Sequence, residues 1–469
     1  MQRLSRTDAG FLAAESADWH MHVALVGRFN ADDDLSFAQL RELVERRFAH
    51  LALFRRRLRA VPGRLDRGVW EDVDHLDVDA HLREAAVYAP GDEFELGRLI
   101  GEIMGRQLDR RRPLWELWRI DGAADGRVTV LLKIHHACND GLHGAEFAQV
   151  IFDLTANAPM ERVDFVGEPE YARVSNRALL GHAAVSFAKM PLRMGKVALD
   201  VAAAAPRLAK FAVSAERHDA VLPFEGPRTP LNGHLTPHRD FAFTSVPLSL
   251  VDEVRGAFGA SLNDVVLAMA AGALRDYLRV RHALPTSGLV AAVPMAIRRE
   301  DHRADPDAVP GNLLSAMGAA LPVHLDGPGD RIRAVQASTR AARRVHQVFG
   351  DDLLADLLAV PPPVVIEGAV RLYDALALDE RLRPVFAAVV SNVPGPPVPL
   401  FCCGARLDDG YLIGPLLAGA GLNLTVLSYR DSLSLGVVSC PDVVDDHWTI
   451  ARALPEALDD LVAAARDIL

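Results

Sequence analysis

Apolar and polar residues alternate along this chain with two different periods, and the changes between the periods predict strands and helices in turn. Strand-like alternation occupies residues 21–29 and 128–134. Helical spacing of apolar residues predicts helices at residues 37–50 and 93–108. Pro113 follows the second helix and indicates a stop and a change of direction. The first part of the chain is therefore predicted to be an α/β domain.

The second half of the chain repeats this mixed pattern. Its predicted elements are, in chain order, a strand at 241–246, a helix at 261–280, strands at 288–297 and 387–392, and a hairpin of strands 422–429 and 432–439. Between the two halves, residues 185–213 are apolar with interspersed Lys and Arg. Pro191 and Pro206 are expected to break this stretch into shorter helices, and residues 223–237 are expected to form an extended linker.

These patterns predict two α/β domains of mixed sheets flanked by helices. We expect one domain at residues 1–157, a helical connector and linker at 158–237, and a second domain at 238–469. At 469 residues the chain exceeds what one hydrophobic core usually supports. Two such halves leave a cleft between them, where binding sites tend to form.

Composition narrows the classes of function and location. The net charge of -11 gives no general attraction to nucleic acid or anionic lipid. The four cysteines lack the spacing of a metal clip or a disulfide framework, which fits a reducing cytoplasm. The N-terminus carries charges, Glu15 among them, and has no apolar core of signal-peptide length. Two uncharged runs, 384–405 and 410–429, contain too much proline and glycine for membrane spans.

The strand at 128–134 leads directly into His135 and His136, and Asp140-Gly141 follows after three residues. Successive side chains of a strand point to opposite faces, so one histidine can face a cleft while the other packs behind it. An imidazole near its ordinary pKa of roughly 6.5 can take a proton from a hydroxyl or thiol at neutral pH. Asp140 is expected to cap a helix at 142–154 and to fix the intervening loop. The pattern predicts a general base.

Other interpretations of these residues remain open. The histidine pair could be two ordinary core or surface residues. A zinc site is disfavoured because zinc needs three or four ligands and adjacent strand residues seldom face one ion. No GxSxG nucleophile elbow, GxGxxG fingerprint or Walker loop is present. Ser261 and Asp264 resemble a capping box with Asp in place of Glu, which is a structural role.

Taken together, the motifs resemble the bacterial wax ester synthase/acyl-CoA:diacylglycerol acyltransferase family. The segments that carry the resemblance, in order, are Leu4-Ser5-x-x-Asp8-Ala9-x-Phe11-Leu12, Met21-His22-Val23, Leu108-Asp109-x-x-Arg112-Pro113-Leu114-Trp115, His135-His136-x-x-x-Asp140-Gly141, Leu231-Asn232-Gly233, Asn263-Asp264-Val265-Val266-Leu267-Ala268, Gly311-Asn312 and Ser391-Asn392-Val393-Pro394-Gly395-Pro396. The HHxxxDG motif alone is shared with condensation domains of peptide synthetases. The ordered set is more specific.

The resemblance implies two chloramphenicol-acetyltransferase-like domains with a substrate tunnel at their interface. It implies an O-acyltransferase that moves a long-chain acyl group from acyl-CoA to diacylglycerol or a long-chain alcohol, with His136 as general base. His135 and Asp140 would hold the loop geometry, and Gly141 would permit its turn. Asn263 and Asp264 would shape the site from the other domain, Asn263 being a candidate oxyanion donor.

No metal or cofactor is expected beyond acyl-CoA as co-substrate. The expected location is cytoplasmic, with peripheral contact at a membrane or lipid droplet through residues 185–213, although this connector could equally pack on its own domains. Two alternatives are an acyltransferase for another alcohol, such as a polyketide or glycolipid, and a lipid-binding or droplet protein with little turnover. Acyl-carrier protein could replace CoA as the donor.

Overall fold

The structure, a computed structural model, describes residues 3–138, 149–161, 173–212, 219–222, 224–296, 314–349 and 361–468. Its strands are β1 (His22–Phe29), β2 (Arg56–Arg59), β3 (Val69–Asp72), β4 (Leu82–Ala86), β5 (Trp115–Asp121), β6 (Val128–His135), β7 (Asp240–Pro247), β8 (Leu289–Ala296), β9 (Leu314–Leu321), β10 (Ala388–Val393), β11 (Phe401–Cys402), β12 (Ala405–Ile413), β13 (Leu422–Tyr429) and β14 (Ser432–Ser439). Its α-helices are α1 (Arg6–Ala14), α2 (Phe37–Arg46), α3 (Ala52–Arg55), α4 (Val78–His81), α5 (Glu93–Met104), α6 (Asn176–Ala188), α7 (Met190–Ala212), α8 (Leu248–Phe258), α9 (Leu262–Val280), α10 (Pro328–Phe349), α11 (Pro363–Ala375), α12 (Leu378–Arg381) and α13 (His447–Arg466).

Two six-stranded mixed sheets organise the described residues. The first has the strand order β11-β12-β1-β6-β5-β4 and the second has the order β7-β14-β13-β10-β8-β9. Strands β2 and β3 form a separate two-stranded ribbon. The predicted fold class, two α/β units with mixed sheets flanked by helices, is confirmed.

The first sheet contains strands from both ends of the chain. Strand β12 pairs antiparallel with β1, with Ala24 opposite Ile413. The sheet that carries the histidine pair is therefore completed by residues from beyond the predicted connector. The division at residues 157 and 237 stays a prediction. It did not anticipate that β12, from the second predicted domain, pairs with β1 of the first.

The strands predicted from alternation are present within one or two residues of their expected ends, and the hairpin of β13 and β14 is as predicted. The break expected at Pro191 falls between α6 and α7, but the break expected at Pro206 is wrong, because α7 continues through it. An internal proline costs a helix about 3 kcal/mol, and α7 nevertheless continues past Pro206 to Ala212. Helices α10 and α13 were not predicted.

Close contact between α5 and β7 joins the two sheets. A Cβ atom on Gly97 would lie 2.2 Å from the carbonyl oxygen of Phe241, and one on Gly101 would lie 2.2 Å from that of Arg239. Only glycine allows a helix to approach a strand backbone so closely. Buried Lys133 of β6 donates from Nζ to the Ile103 carbonyl at 2.8 Å, at the end of the same helix. The strand that carries the histidines is thus tied to the junction of the two sheets.

Within the described residues, no single helix has the length and apolar character needed to cross a membrane, and one bent pair, α8 with α9, passes that test jointly by length and composition alone.

Candidate active site

The histidine pair lies where β6 ends. His135 is the last residue of the strand and faces His22 of β1 in the antiparallel register. Its backbone N–H donates to the carbonyl of Leu114 at 3.0 Å. The backbone N–H of His136 donates to the carbonyl of Met21 at 2.7 Å, and His136 opens a single 3-10 turn, His136–Cys138. Hydrogen bonds to both neighbouring segments therefore fix the main chain of the pair.

His135 packs behind the turn, as strand alternation predicted for one member of the pair. Its side chain is 1 % exposed. Its Nδ1 accepts the backbone N–H of Ala137 at 3.0 Å, and its Nε2 lies 3.4 Å from Oε2 of Glu15. A neutral imidazole whose Nδ1 accepts a hydrogen bond carries its proton on Nε2. The His135 proton therefore faces the Glu15 carboxylate.

His136 is partly buried and lies against an aromatic ring. The ring centroids of Phe11 and His136 are 4.6 Å apart, with the planes inclined by 43°. Burial lowers the pKa of His136 to about 4, although a backbone hydrogen bond opposes the shift. A base with this pKa is unprotonated at neutral pH and can accept a proton.

Glu15 is a residue of this site that the sequence did not single out. It follows α1 directly, and its side chain is 3 % exposed. Burial by itself raises its pKa, but His135 and Arg110 outweigh burial and lower the pKa to about 2. Arg110 donates to Oε2 from Nε at 3.1 Å and also from Nη2. The only sequence feature that could have pointed to Glu15 was that a single acidic residue follows the apolar positions of α1.

His22 and Lys133 complete the buried polar group around Glu15. His22 Nε2 lies 3.5 Å from Glu15 Oε1. Burial, followed by the charge of Lys133, holds the pKa of His22 well below its ordinary value. Burial also lowers the pKa of Lys133 to about 8, although Glu116 and Glu15 oppose the shift. The site thus has one strongly anionic member, Glu15, among basic side chains.

Two predicted site residues of the HHxxxDG motif, Asp140 and Gly141, lie outside the described residues, as does most of the helix predicted at 142–154. The part of that helix that is described ends before Asp153, which bridges to Phe401. The predicted roles of Asp140 and Gly141 stay predictions.

The motif at the start of α9 has the structural role that its capping pattern predicted. Ser261 caps the helix, and the carboxylate of Asp264 accepts from the Ser261 backbone N–H at 2.9 Å. The other carboxylate oxygen accepts from the Thr339 hydroxyl at 2.8 Å, which joins α9 to α10. Asn263 lies in the first turn of α9 and is partly buried. Its role as an oxyanion donor stays a prediction, and Gly311-Asn312 lies outside the described residues.

Other motif residues support the fold around the site. Trp115 is fully buried, stacks on His81 and donates from Nε1 to the Phe54 carbonyl at 2.9 Å. The Asn232 side chain donates to the carbonyls of Phe386 and Gly419, each at 3.0 Å. Few of the motif residues lie beside His136. The contacts of Trp115 and Asn232 show that motif residues elsewhere in the chain support the fold.

No cluster of three or more His, Cys, Asp or Glu side chains arranged to hold a metal ion occurs among the residues that the structure describes. The cysteines in this part of the chain form no disulfide bonds.

Comparison with known proteins places these features in a family context. A family model described as the wax ester synthase/diacylglycerol acyltransferase catalytic domain matches residues 4–266, and the corresponding C-terminal domain model matches residues 310–462. A putative diacylglycerol O-acyltransferase of Mycobacterium tuberculosis is 34% identical over 100% of this chain and 91% of its own length. A second one from that organism is 35% identical over 98% of this chain and 99% of its own.

Solved structures give the same picture of the fold. The wax ester synthase/diacylglycerol acyltransferase from Marinobacter aquaeolei VT8 matches with a TM-score of 0.70 and 26% identity, covering 99% of this chain and 100% of that one. The starter condensation domain of rhizomide synthetase matches with a TM-score of 0.54 and 14% identity, covering 99% of this chain and 94% of that one, which shows a shared fold alone.

Proposed function

Because the chain belongs to the wax ester synthase/diacylglycerol acyltransferase family, we propose that it transfers a long-chain fatty acyl group from acyl-CoA to diacylglycerol or a long-chain alcohol, with His136 as the general base. The products are triacylglycerol or wax ester and free CoA. Membership of this family identifies the protein as an acyltransferase. The acceptor and the roles of individual residues are the proposed part.

One observation carries the role of His136. Its imidazole lies against Phe11, on a turn held by backbone hydrogen bonds, and burial lowers its pKa to about 4. The ring is therefore in its basic form at neutral pH without needing a partner to deprotonate it. General-base catalysis by a positioned side chain typically contributes about 10²- to 10⁴-fold to the reaction rate.

The proposed reaction is a direct alcoholysis of the thioester. His136 takes the proton of the acceptor hydroxyl while the hydroxyl oxygen attacks the thioester carbonyl carbon. The resulting tetrahedral oxyanion collapses, the C–S bond breaks, and the CoA sulfur leaves with the proton returned by His136. The chemistry needs a positioned acceptor, a base and donors for the developing oxyanion. We propose no resident cofactor, with acyl-CoA as co-substrate.

We further propose peripheral contact with a membrane or lipid-droplet surface through α6 and α7. Phe187, Leu192 and Leu199 are respectively 61%, 76% and 72% exposed, and Lys189 and Arg193 lie among them in sequence. Apolar side chains with interspersed basic residues suit the boundary between lipid headgroups and acyl chains. Such contact would give access to acceptors that reside in lipid.

The function is tested by incubating the purified protein with palmitoyl-CoA and either dioleoylglycerol or hexadecanol. We expect CoA release to match ester formation, and the preferred acceptor to name the product. CoA release without ester would indicate a thioesterase instead. No turnover with either acceptor would refute storage-lipid synthesis and leave another alcohol or a lipid-binding role.

A further inference from the structure

We propose that Glu15 is a positioning residue for this reaction, which fixes the tautomer of His135 and, through His135, the turn that carries His136. The inference rests on the proposed role of His136 and adds a residue to that site.

A single helix places groups on both sides of the histidine pair. Phe11, within α1, contacts the ring of His136. Glu15 ends the same helix, and its backbone N–H donates to the Phe11 carbonyl at 3.1 Å. The carboxylate of Glu15 reaches His135 behind the turn. The end of α1 therefore sets the position of both histidines at once.

The link from Glu15 to His136 passes through the two nitrogens of His135. Nε2 lies 3.4 Å from the Glu15 carboxylate, and Nδ1 accepts the Ala137 N–H at 3.0 Å. In the other tautomer a proton on Nδ1 would point at that N–H, and two donors would face each other. A carboxylate beside Nε2 favours the tautomer that leaves Nδ1 free to accept. The Ala137 hydrogen bond then closes the turn that begins at His136.

Arg110 holds the Glu15 carboxylate in place as an anion. Arg110 binds Oε2 from one side and also donates to the Leu12 carbonyl at 2.8 Å, which ties the arginine to α1. With its pKa lowered to about 2, the carboxylate remains charged throughout the range in which the enzyme is expected to work.

A double-mutant cycle, with kcat measured for each variant, tests whether Glu15 acts on His136 through His135. Glu15→Ala should lower kcat by about 10- to 100-fold, the loss found when a group that orients a metal-binding histidine is removed, with little change in either KM. Glu15→Gln keeps an acceptor oxygen of the same reach and should retain more activity than Glu15→Ala. In a His135→Ala background, Glu15→Ala should have no further effect. If the losses in kcat from Glu15→Ala and His135→Ala were fully additive, Glu15 would not act through His135 and the inference would be overturned.

A matched control and a second measurement guard against misfolded variants. Glu95 also binds an arginine, Arg98, at 2.6 Å, but on an exposed helix face. Glu95→Gln should therefore leave kcat unchanged. Long-range ¹H–¹⁵N correlation spectra of histidine-labelled protein, recorded at about pH 8 where an ordinary histidine is neutral, should show His135 protonated on Nε2. Glu15→Gln should move it toward a mixture of tautomers.

The two measurements separate this inference from the proposed function. If the wild-type protein forms no ester with any acceptor, the proposed function fails, and the spectra still decide whether Glu15 sets the tautomer of His135. An unchanged His135 spectrum in folded Glu15→Gln would overturn the inference even if the wild type is fully active.

Discussion

Replacing Gly101 by alanine tests whether the contact of α5 with β7 holds the two sheets together. The added Cβ would lie 2.2 Å from the Arg239 carbonyl oxygen and 2.9 Å from its carbonyl carbon. An ordinary contact of this type begins near 3.4 Å, so helix and strand must separate by about 1 Å. Overpacking on this scale typically costs about 1–3 kcal/mol of stability.

The loss of stability caused by overpacking at Gly101 should exceed the gain in stability that alanine normally brings to a helix. Gly256→Ala is the matched control, because Gly256 lies within α8 and nothing approaches its Cβ position within 4 Å. Alanine there should stabilise the protein by about 0.5–1 kcal/mol.

Thermal unfolding followed by circular dichroism should therefore show a lower midpoint for Gly101→Ala and a higher one for Gly256→Ala. Ester formation by Gly101→Ala should also fall, because Lys133 ties β6 to the same helix. A Gly101→Ala protein as stable and as active as the control would refute the packing argument.

Three further predictions follow from the site and its surroundings. Because burial lowers the pKa of His136 to about 4, kcat/KM should hold from neutral pH down to about pH 5 and fall only as pH drops through about 4; an acid limb near the ordinary histidine value of about 6.5 would contradict this. Asp264→Ala should lower the free energy of unfolding by about 1–3 kcal/mol through loss of the cap and of its bond to α10, measured by urea unfolding, and should leave the pH profile unchanged. Leu192→Asp with Leu199→Asp should weaken co-sedimentation with phosphatidylcholine vesicles, whereas Val280→Asp, at an equally exposed position outside the connector, should not; equal effects would argue against a specific membrane face.

The sequence predicted the features whose determinants are local. Strand β6 and the hairpin of β13 and β14 follow from alternation of residues next to one another. The Ser261–Asp264 cap depends on a spacing of three residues and was predicted with its structural role. The helix through Pro206 was missed because a local rule about proline does not weigh the rest of a long helix.

Strand β12 and Glu15 escaped prediction because their roles depend on distant pairing. Strand β12 joins the first sheet by pairing Ile413 with Ala24, and no periodicity within either strand names its partner. Glu15 acquires its role from Arg110 and His135, each about a hundred residues away. One acidic residue near the N-terminus carries no sign of such partners. The chemistry of the site could be predicted from the motif, but the carboxylate behind it required the fold.

The most direct test of the central claim compares wild type with His136→Ala in ester formation from palmitoyl-CoA, using whichever acceptor the wild type prefers. The exposed His324, replaced in the same way, provides the control. We expect His136→Ala to fold normally by circular dichroism and to lose about 10²- to 10⁴-fold in kcat, as expected for removal of a general base, with His324→Ala unchanged. A folded His136→Ala protein that retains kcat within a few-fold of wild type would contradict the assignment of His136 as the base.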